Sequence, residues 1–127
     1  MIILKAEKKV LTFGLTSVEM RCRCKYEECR ATIVNHRLLK AYQKLRKALG
    51  VPCVITSGFR CTRHNFKVGG SSCSRHLRGE ALDILYSVAI TNKMSLQAFA
   101  DLARASGFTY VKLYPGKNKR IHADVRR

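Results

Sequence analysis

The stretch Ser74-Arg75-His76-Leu77-Arg78-Gly79-Glu80-Ala81-Leu82-Asp83 constrains the fold more than any other. Imidazole nitrogen and carboxylate oxygen are both good zinc ligands. Seven residues of continuous strand span about 23 Å, too far for two ligands of one ion. If His76 and Asp83 serve the same ion, the chain must bend between them, and Gly79 is the residue free to take the required dihedrals. Asp83 lies within an apolar run, where a buried carboxylate needs a partner. A lone histidine at 76 is ordinarily a surface or hydrogen-bonded residue, so the spacing permits a metal without requiring one.

A third ligand is available in Ile121-His122-Ala123-Asp124-Val125. On a strand His122 and Asp124 face the same side. Three protein ligands leave the fourth zinc position to water, which then ionises near neutral pH. Asp124 is the expected general base, taking the water proton and returning it to a leaving amine. Its alternative role is to orient a histidine. Arg60 follows a predicted strand end and is the expected cation for a developing oxyanion. His36 and His64 are flanked by basic residues and are not expected to be ligands.

The chain's 127 residues suit one domain with a single core. Residues 1–20 read as a short strand or extended arm. A helix is expected over 35–49, capped by Asn35 and stopped by Gly50, with Leu38, Tyr42, Leu45 and Leu49 on its apolar face. A second is expected over 95–106, between Ser95 and Gly107. Strands are expected at Cys53–Thr56, 81–88, 108–114 and 120–126, with a turn at Pro115-Gly116-Lys117-Asn118. Residues 61–75 read as irregular. The expectation is an α+β domain: a small, largely antiparallel sheet, two main helices packed against it, and a zinc cleft on the sheet. Within the single domain 1–127, residues 1–34 form a cysteine-containing arm and 35–126 the core.

Alternation would put Cys22 and Cys24 on one side of a strand. With Cys29 they make a C-x-C-x4-C cluster that could hold a second, structural metal if Cys61 supplied a fourth ligand. The spacing is not that of common zinc ribbons, so buried free thiols or a disulfide are expected instead. The 25 Lys+Arg against 8 Asp+Glu give a formal charge of +17. Such an excess favours polyanions: nucleic acid, teichoic acid, anionic lipid or cell-wall glycan. No apolar run reaches about 18 residues, so no membrane span is expected. The opening Met1–Val10 is not a signal peptide, its apolar run being too short and followed by its charges. Nothing points to an oligomer, and a monomer is expected.

The motif Ser74-x-His76-x-x-Gly79-x-Ala81-x-Asp83, followed by His122-x-Asp124, resembles the signature of the zinc D-Ala-D-Ala carboxypeptidase family. Ser57-Gly58-Phe59-Arg60, then Asn65 and Val68-Gly69-Gly70, is similar to a second stretch of that family. The wider group includes D-Ala-D-Ala dipeptidases, L-alanyl-D-glutamate endolysins and the hedgehog amino-terminal domain. The resemblance covers about residues 35–126. It implies one catalytic zinc ion on His76, Asp83 and His122, with Arg60 and Ser74 binding substrate and Arg60 stabilising the transition state. It implies peptidoglycan stem peptides as substrate, cut at bonds involving D-amino acids. Many members carry an acid three residues before the last histidine; here that position is Lys119, so the assignment of Asp124 as base rests on strand geometry alone. Without an export signal, the expected protein is made in the cytoplasm and acts at the bacterial wall or periplasm, as a phage-encoded or virion-carried product would. The competing expectation is a non-catalytic protein that keeps the fold and binds nucleic acid, against which the aromatic content of 8% offers few stacking surfaces.

Overall fold

The structure is a computed structural model describing residues 1–127. The chain begins with three short strands, β1 (Ile2–Leu4), β2 (Val10–Thr12) and β3 (Leu15–Thr16), and one helical turn, α1 (Ser17–Met20). Residues 21–30 hold neither helix nor strand. Strand β4 (Ala31–Ile33) returns antiparallel to β1. Then follow α2 (His36–Leu49), β5 (Ile55–Ser57), α3 (Thr62–Lys67), a 3-10 turn at Arg75–Arg78, β6 (Ala81–Leu85), α4 (Leu96–Ala105), β7 (Tyr110–Tyr114) and β8 (Arg120–Asp124). Strands β5, β6, β8 and β7 form one antiparallel sheet in that order. The fold is α+β, as expected.

The two main helices begin and end where their chemistry dictates. The Asn35 side chain accepts a hydrogen bond from the Arg37 amide, and Gly50 closes α2 in the left-handed conformation. The Ser95 hydroxyl accepts from the Ala98 amide at the start of α4. Leu38, Tyr42, Leu45 and Leu49 of α2 are all buried, as are Phe99, Ala100 and Ala103 of α4. Each large apolar side chain enclosed in this way contributes about 1.5–3 kcal/mol.

The sheet's two faces follow from strand parity. Leu82 and Ile84 of β6, Ile121 and Ala123 of β8 and Val111 of β7 are buried in the core shared with α2 and α4. The alternate residues Asp83, His122, Tyr110, Lys112 and Tyr114 therefore stand on the opposite face. Register aligns them, because Asp83 pairs with His122, and His122 with Lys112. A one-residue slip would send Asp83 and His122 into the core and Leu82 to the cleft, so burial itself enforces the register.

Two local expectations need correction. Residues 61–75 are not wholly irregular: they contain α3. Its cap is Cys61, whose sulfur accepts from the His64 amide at 3.4 Å. A cysteine is not among the common cap residues, and Asn65 is the helix's one buried side chain, so neither start signal nor apolar stripe was present. Cys22 and Cys24 do not lie on a strand, because no partner strand runs beside residues 21–30. Leu15, Met20, Cys22 and Cys29 pack into the same core as Leu38 and Leu82.

Candidate metal centre and cleft

Asp83 is carried by the central strand β6, His122 by the paired strand β8, and His76 by the 3-10 turn just before β6. The bend between His76 and Asp83 is made at Gly79, whose φ is +65°. A Cβ there would stand 2.0 Å from the Ile33 carbonyl oxygen, so only glycine fits against β4. Ser74 starts the turn, its hydroxyl accepting from the His76 amide at 3.3 Å.

His76, Asp83 and His122 each present one ligand atom, all within 4.8 Å of one another. Asp83 Oδ1 lies 3.1 Å from His76 Nε2 and 3.2 Å from His122 Nδ1. The remaining ring nitrogens decide what these contacts mean. His76 Nδ1 faces the Gly58 carbonyl oxygen at 2.6 Å, which can only accept, so Nδ1 carries the proton. His122 Nε2 faces Asp124 Oδ2 at 2.8 Å, which fixes a proton there in the same way. In the neutral imidazoles, His76 Nε2 and His122 Nδ1 then turn lone pairs toward a carboxylate oxygen. Three ligand atoms then converge, a cluster made favourable either by a proton on one imidazole or by a metal cation between them. The two-histidine, one-carboxylate set fits zinc, and the outer contacts of both imidazoles are those that orient metal-binding histidines.

Without an ion, the cluster is held together by proton sharing. Burial works to raise the Asp83 carboxyl, but the imidazoles of His122 and His76 overcome it and hold the group well below the usual carboxylate range. Burial works to lower His122, and hydrogen bonds to Asp124 and Asp83 reverse that and raise it. Arg60 adds an ion pair from Nη2 to the second Asp83 oxygen, at 3.2 Å. Its Nε donates to Ser57 Oγ at 3.0 Å and its Nη1 to Asn65 Oδ1 at 3.2 Å, so the guanidinium is held on three sides. Asn65 is itself buried and anchors the loop through the Ser71 carbonyl, at 2.8 Å.

Asp124 departs from the expectation that it acts as a base in the cleft. Its side chain is 0% exposed. One oxygen accepts from His122, and Arg126 grips both, with Nη2 at 2.6 Å and Nε at 2.9 and 3.1 Å. Burial favours the neutral acid, yet His122 and Arg126 keep the carboxyl well below its ordinary range. Strand parity put Asp124 on the same side as His122, but His122 and Arg126 stand between it and the cleft. Lys119 is exposed and lies outside the cleft lining.

The cleft itself has a volume of about 530 Å³, within the range of ligand-binding pockets. One wall is the segment from Arg60 to His76, including Gly70 and Ser74; the other is the sheet face. Asp83 is the one carboxylate lining it, against the cations of Arg60, Arg75, Lys112, Arg120 and Arg126. Arg60, Arg75 and Arg126 have acidic partners in Asp83, Glu80 and Asp124. Lys112 and Arg120 have none and instead flank the Tyr114 ring, at 5.1 and 4.2 Å from its centroid. These sheet-face residues were not foreseen as site residues. The alternation Tyr110-x-Lys112-x-Tyr114 was the signal, readable only once β7 is paired with β8 in the register that faces Lys112 to His122.

The family model described as Peptidase M15 matches residues 13–124. The zinc D-Ala-D-Ala carboxypeptidase of Streptomyces albus G is 37% identical over 83 residues, 63% of this chain. The match spans 31% of that relative, so the chain covers about a third of its length. Among solved structures, the Serratia marcescens L-Ala D-Glu endopeptidase ChiX superposes with a TM-score of 0.51 at 20% identity, over 73% of this chain and 80% of that one. That likeness is one of fold. The family model spans nearly the whole chain, from β3 through the His122-x-Asp124 strand, and on that basis the chain belongs to the peptidase M15 family.

Proposed function

We propose that the protein is a zinc-dependent peptidase that hydrolyses peptidoglycan stem peptides or cross-links at bonds involving D-amino acids. The observation that carries the reading is the convergence of His76 Nε2, Asp83 Oδ1 and His122 Nδ1, with the outer nitrogens of both histidines already occupied. The names of the two similar proteins, a D-Ala-D-Ala carboxypeptidase and an L-Ala D-Glu endopeptidase, support the substrate class.

In this reading His76, Asp83 and His122 hold the ion. Zinc bound there supplies a Lewis acid and lowers the pKa of water toward neutrality. Gly58 and Asp124 fix the tautomers of the two histidines, so each meets the metal with a lone pair already aimed. Arg60 holds Asp83 Oδ2 and lines the cleft, where its guanidinium would stabilise charge developing on the attacked carbonyl. The Ser74 hydroxyl, which accepts from the His76 amide, keeps its proton to donate to substrate. Lys112 and Arg120, which have no acidic partner and both lie against the Tyr114 ring, are the cations free to bind a carboxylate of the acidic stem peptide. The excess basic charge holds the protein to anionic wall polymer.

The test is incubation of the zinc-loaded protein with defined stem peptides, with products identified by mass. Cleavage beside a D-residue, at one bond, is expected. Hydrolysis of all-L peptides of the same sequence at the same rate would rule out the assigned substrate class.

A further inference from the structure

A second set of ligands lies outside the cleft. Cys22, Cys24 and Cys29 come from residues 21–30, and Cys61 caps α3. All four sulfurs lie within 4.8 Å of one another. Cys61 Sγ is 3.8 Å from Cys22 Sγ and 3.8 Å from Cys24 Sγ. All are free thiols, although bonded sulfurs would stand about 2.05 Å apart. Four sulfurs each about 2.3 Å from a tetrahedral zinc ion are separated by about 3.8 Å.

We propose that Cys22, Cys24, Cys29 and Cys61 bind a structural zinc ion, separate from the ion of the cleft. The donors around the sulfurs suit thiolates. The Cys61 amide points at Cys22 Sγ at 3.4 Å, and the His64 amide at Cys61 Sγ at 3.4 Å. The Lys5 ammonium lies 3.2 Å from Cys24 Sγ and 2.9 Å from the Cys24 carbonyl oxygen, and it pairs with no carboxylate. A zinc tetrathiolate is a net dianion, and Lys5 compensates part of its charge. Arg23, Lys25 and Lys67 line the adjoining surface hollow with Cys24 and add to the positive field. On binding, each thiol releases its proton to solvent as its sulfur takes up a position on the ion. None of the four is disulfide-bonded in this structure.

The site would add a further tie to residues 21–30, which hold neither helix nor strand and bury Cys22 and Cys29 in the core. The proposed ion joins three points of the arm to Cys61, the residue after Arg60. Arg63 extends the same tie, bridging to Glu28 at 2.7 Å and covering the Tyr26 ring at 3.8 Å. The metal therefore secures the arm against the segment that presents Arg60 to Asp83.

The experiment is cobalt(II) substitution of the full chain under reducing conditions, read by absorption, with zinc content measured on the same preparation. The ligands His76, Asp83 and His122 include no sulfur, so intense sulfur-to-cobalt charge transfer reports the cysteines alone. Expected are tetrathiolate bands and two zinc equivalents in the wild type, falling to one in His122→Ala with the bands kept. Cys24→Ser/Cys29→Ser is expected to lose the bands. If that variant fails to fold, the wild-type and His122→Ala spectra still decide. Absence of sulfur bands in wild type, with four rapidly titrating thiols or a disulfide in their place, would overturn the proposal and leave the zinc of the cleft untouched. A single zinc equivalent that disappears in His122→Ala would overturn it as well.

Discussion

Asp124 shows how much one buried side chain decides at this site. Enclosed completely, it accepts from His122 and Arg126 and holds no free oxygen toward the cleft. In the proposed zinc site it would act on the metal through the tautomer of His122. Asp124→Ala is expected to weaken zinc binding by about 10–100-fold, measured by competition with a chromophoric chelator. Asp124→Asn retains an acceptor oxygen for His122 Nε2 and is expected to restore much of that affinity. Full zinc affinity in Asp124→Ala, with activity lost, would instead return Asp124 to proton transfer. Arg60 makes a different demand. Its fork spans Ser57, Asn65 and Asp83, and a lysine cannot satisfy three directions at once. Arg60→Lys is expected to lower kcat/KM by about 10²-fold or more with zinc still bound. Equal activity in that variant would show that only charge matters there.

At the scale of the elements, the site depends on a turn, two strands and their register. Gly79 lets the 3-10 turn deliver His76 above Asp83, against the backbone of β4. Gly79→Ala is expected to cost about 2–3 kcal/mol, from left-handed strain and the clash with the Ile33 carbonyl, and is measured as a lower urea midpoint. An unchanged midpoint would mean that β4 can yield at no cost. This bend was legible in the sequence because two ligands seven residues apart on one strand cannot reach one ion. The helices α2 and α4 were legible too, since Asn35, Gly50 and Ser95 are strong local signals and the leucines of α2 repeat at helical spacing. The short helix α3 was not, because its cap is a cysteine and its register carries no apolar stripe. Nor was the enclosure of Asp124 legible: parity gives the face of a strand, whereas burial depends on Arg126 folding back across the end of β8. Whether a set of cysteines meets is likewise a matter of tertiary contact, and Cys61 lies far along the chain from Cys22.

For the whole molecule, the sheet divides two chemistries. One face belongs to the core with α2 and α4, and the other carries the charged cleft. A net charge of +17 is expected to add a long-range attraction to anionic polymers. Binding to intact walls is expected to weaken steeply with added salt, while hydrolysis of a small soluble stem peptide changes far less; pelleting assays across ionic strength measure the first. Salt-independent wall binding would mean that the basic surface plays no part. Under the proposed function, His76, Asp83 and His122 hold the zinc ion that hydrolysis requires. The most direct measurement is cleavage of a stem peptide by wild type and His122→Ala, before and after chelation and again after zinc is returned. Expected are cleavage by the wild type, loss on chelation, recovery with zinc, and none of these in His122→Ala. Cleavage that survives both chelation and His122→Ala would contradict that function.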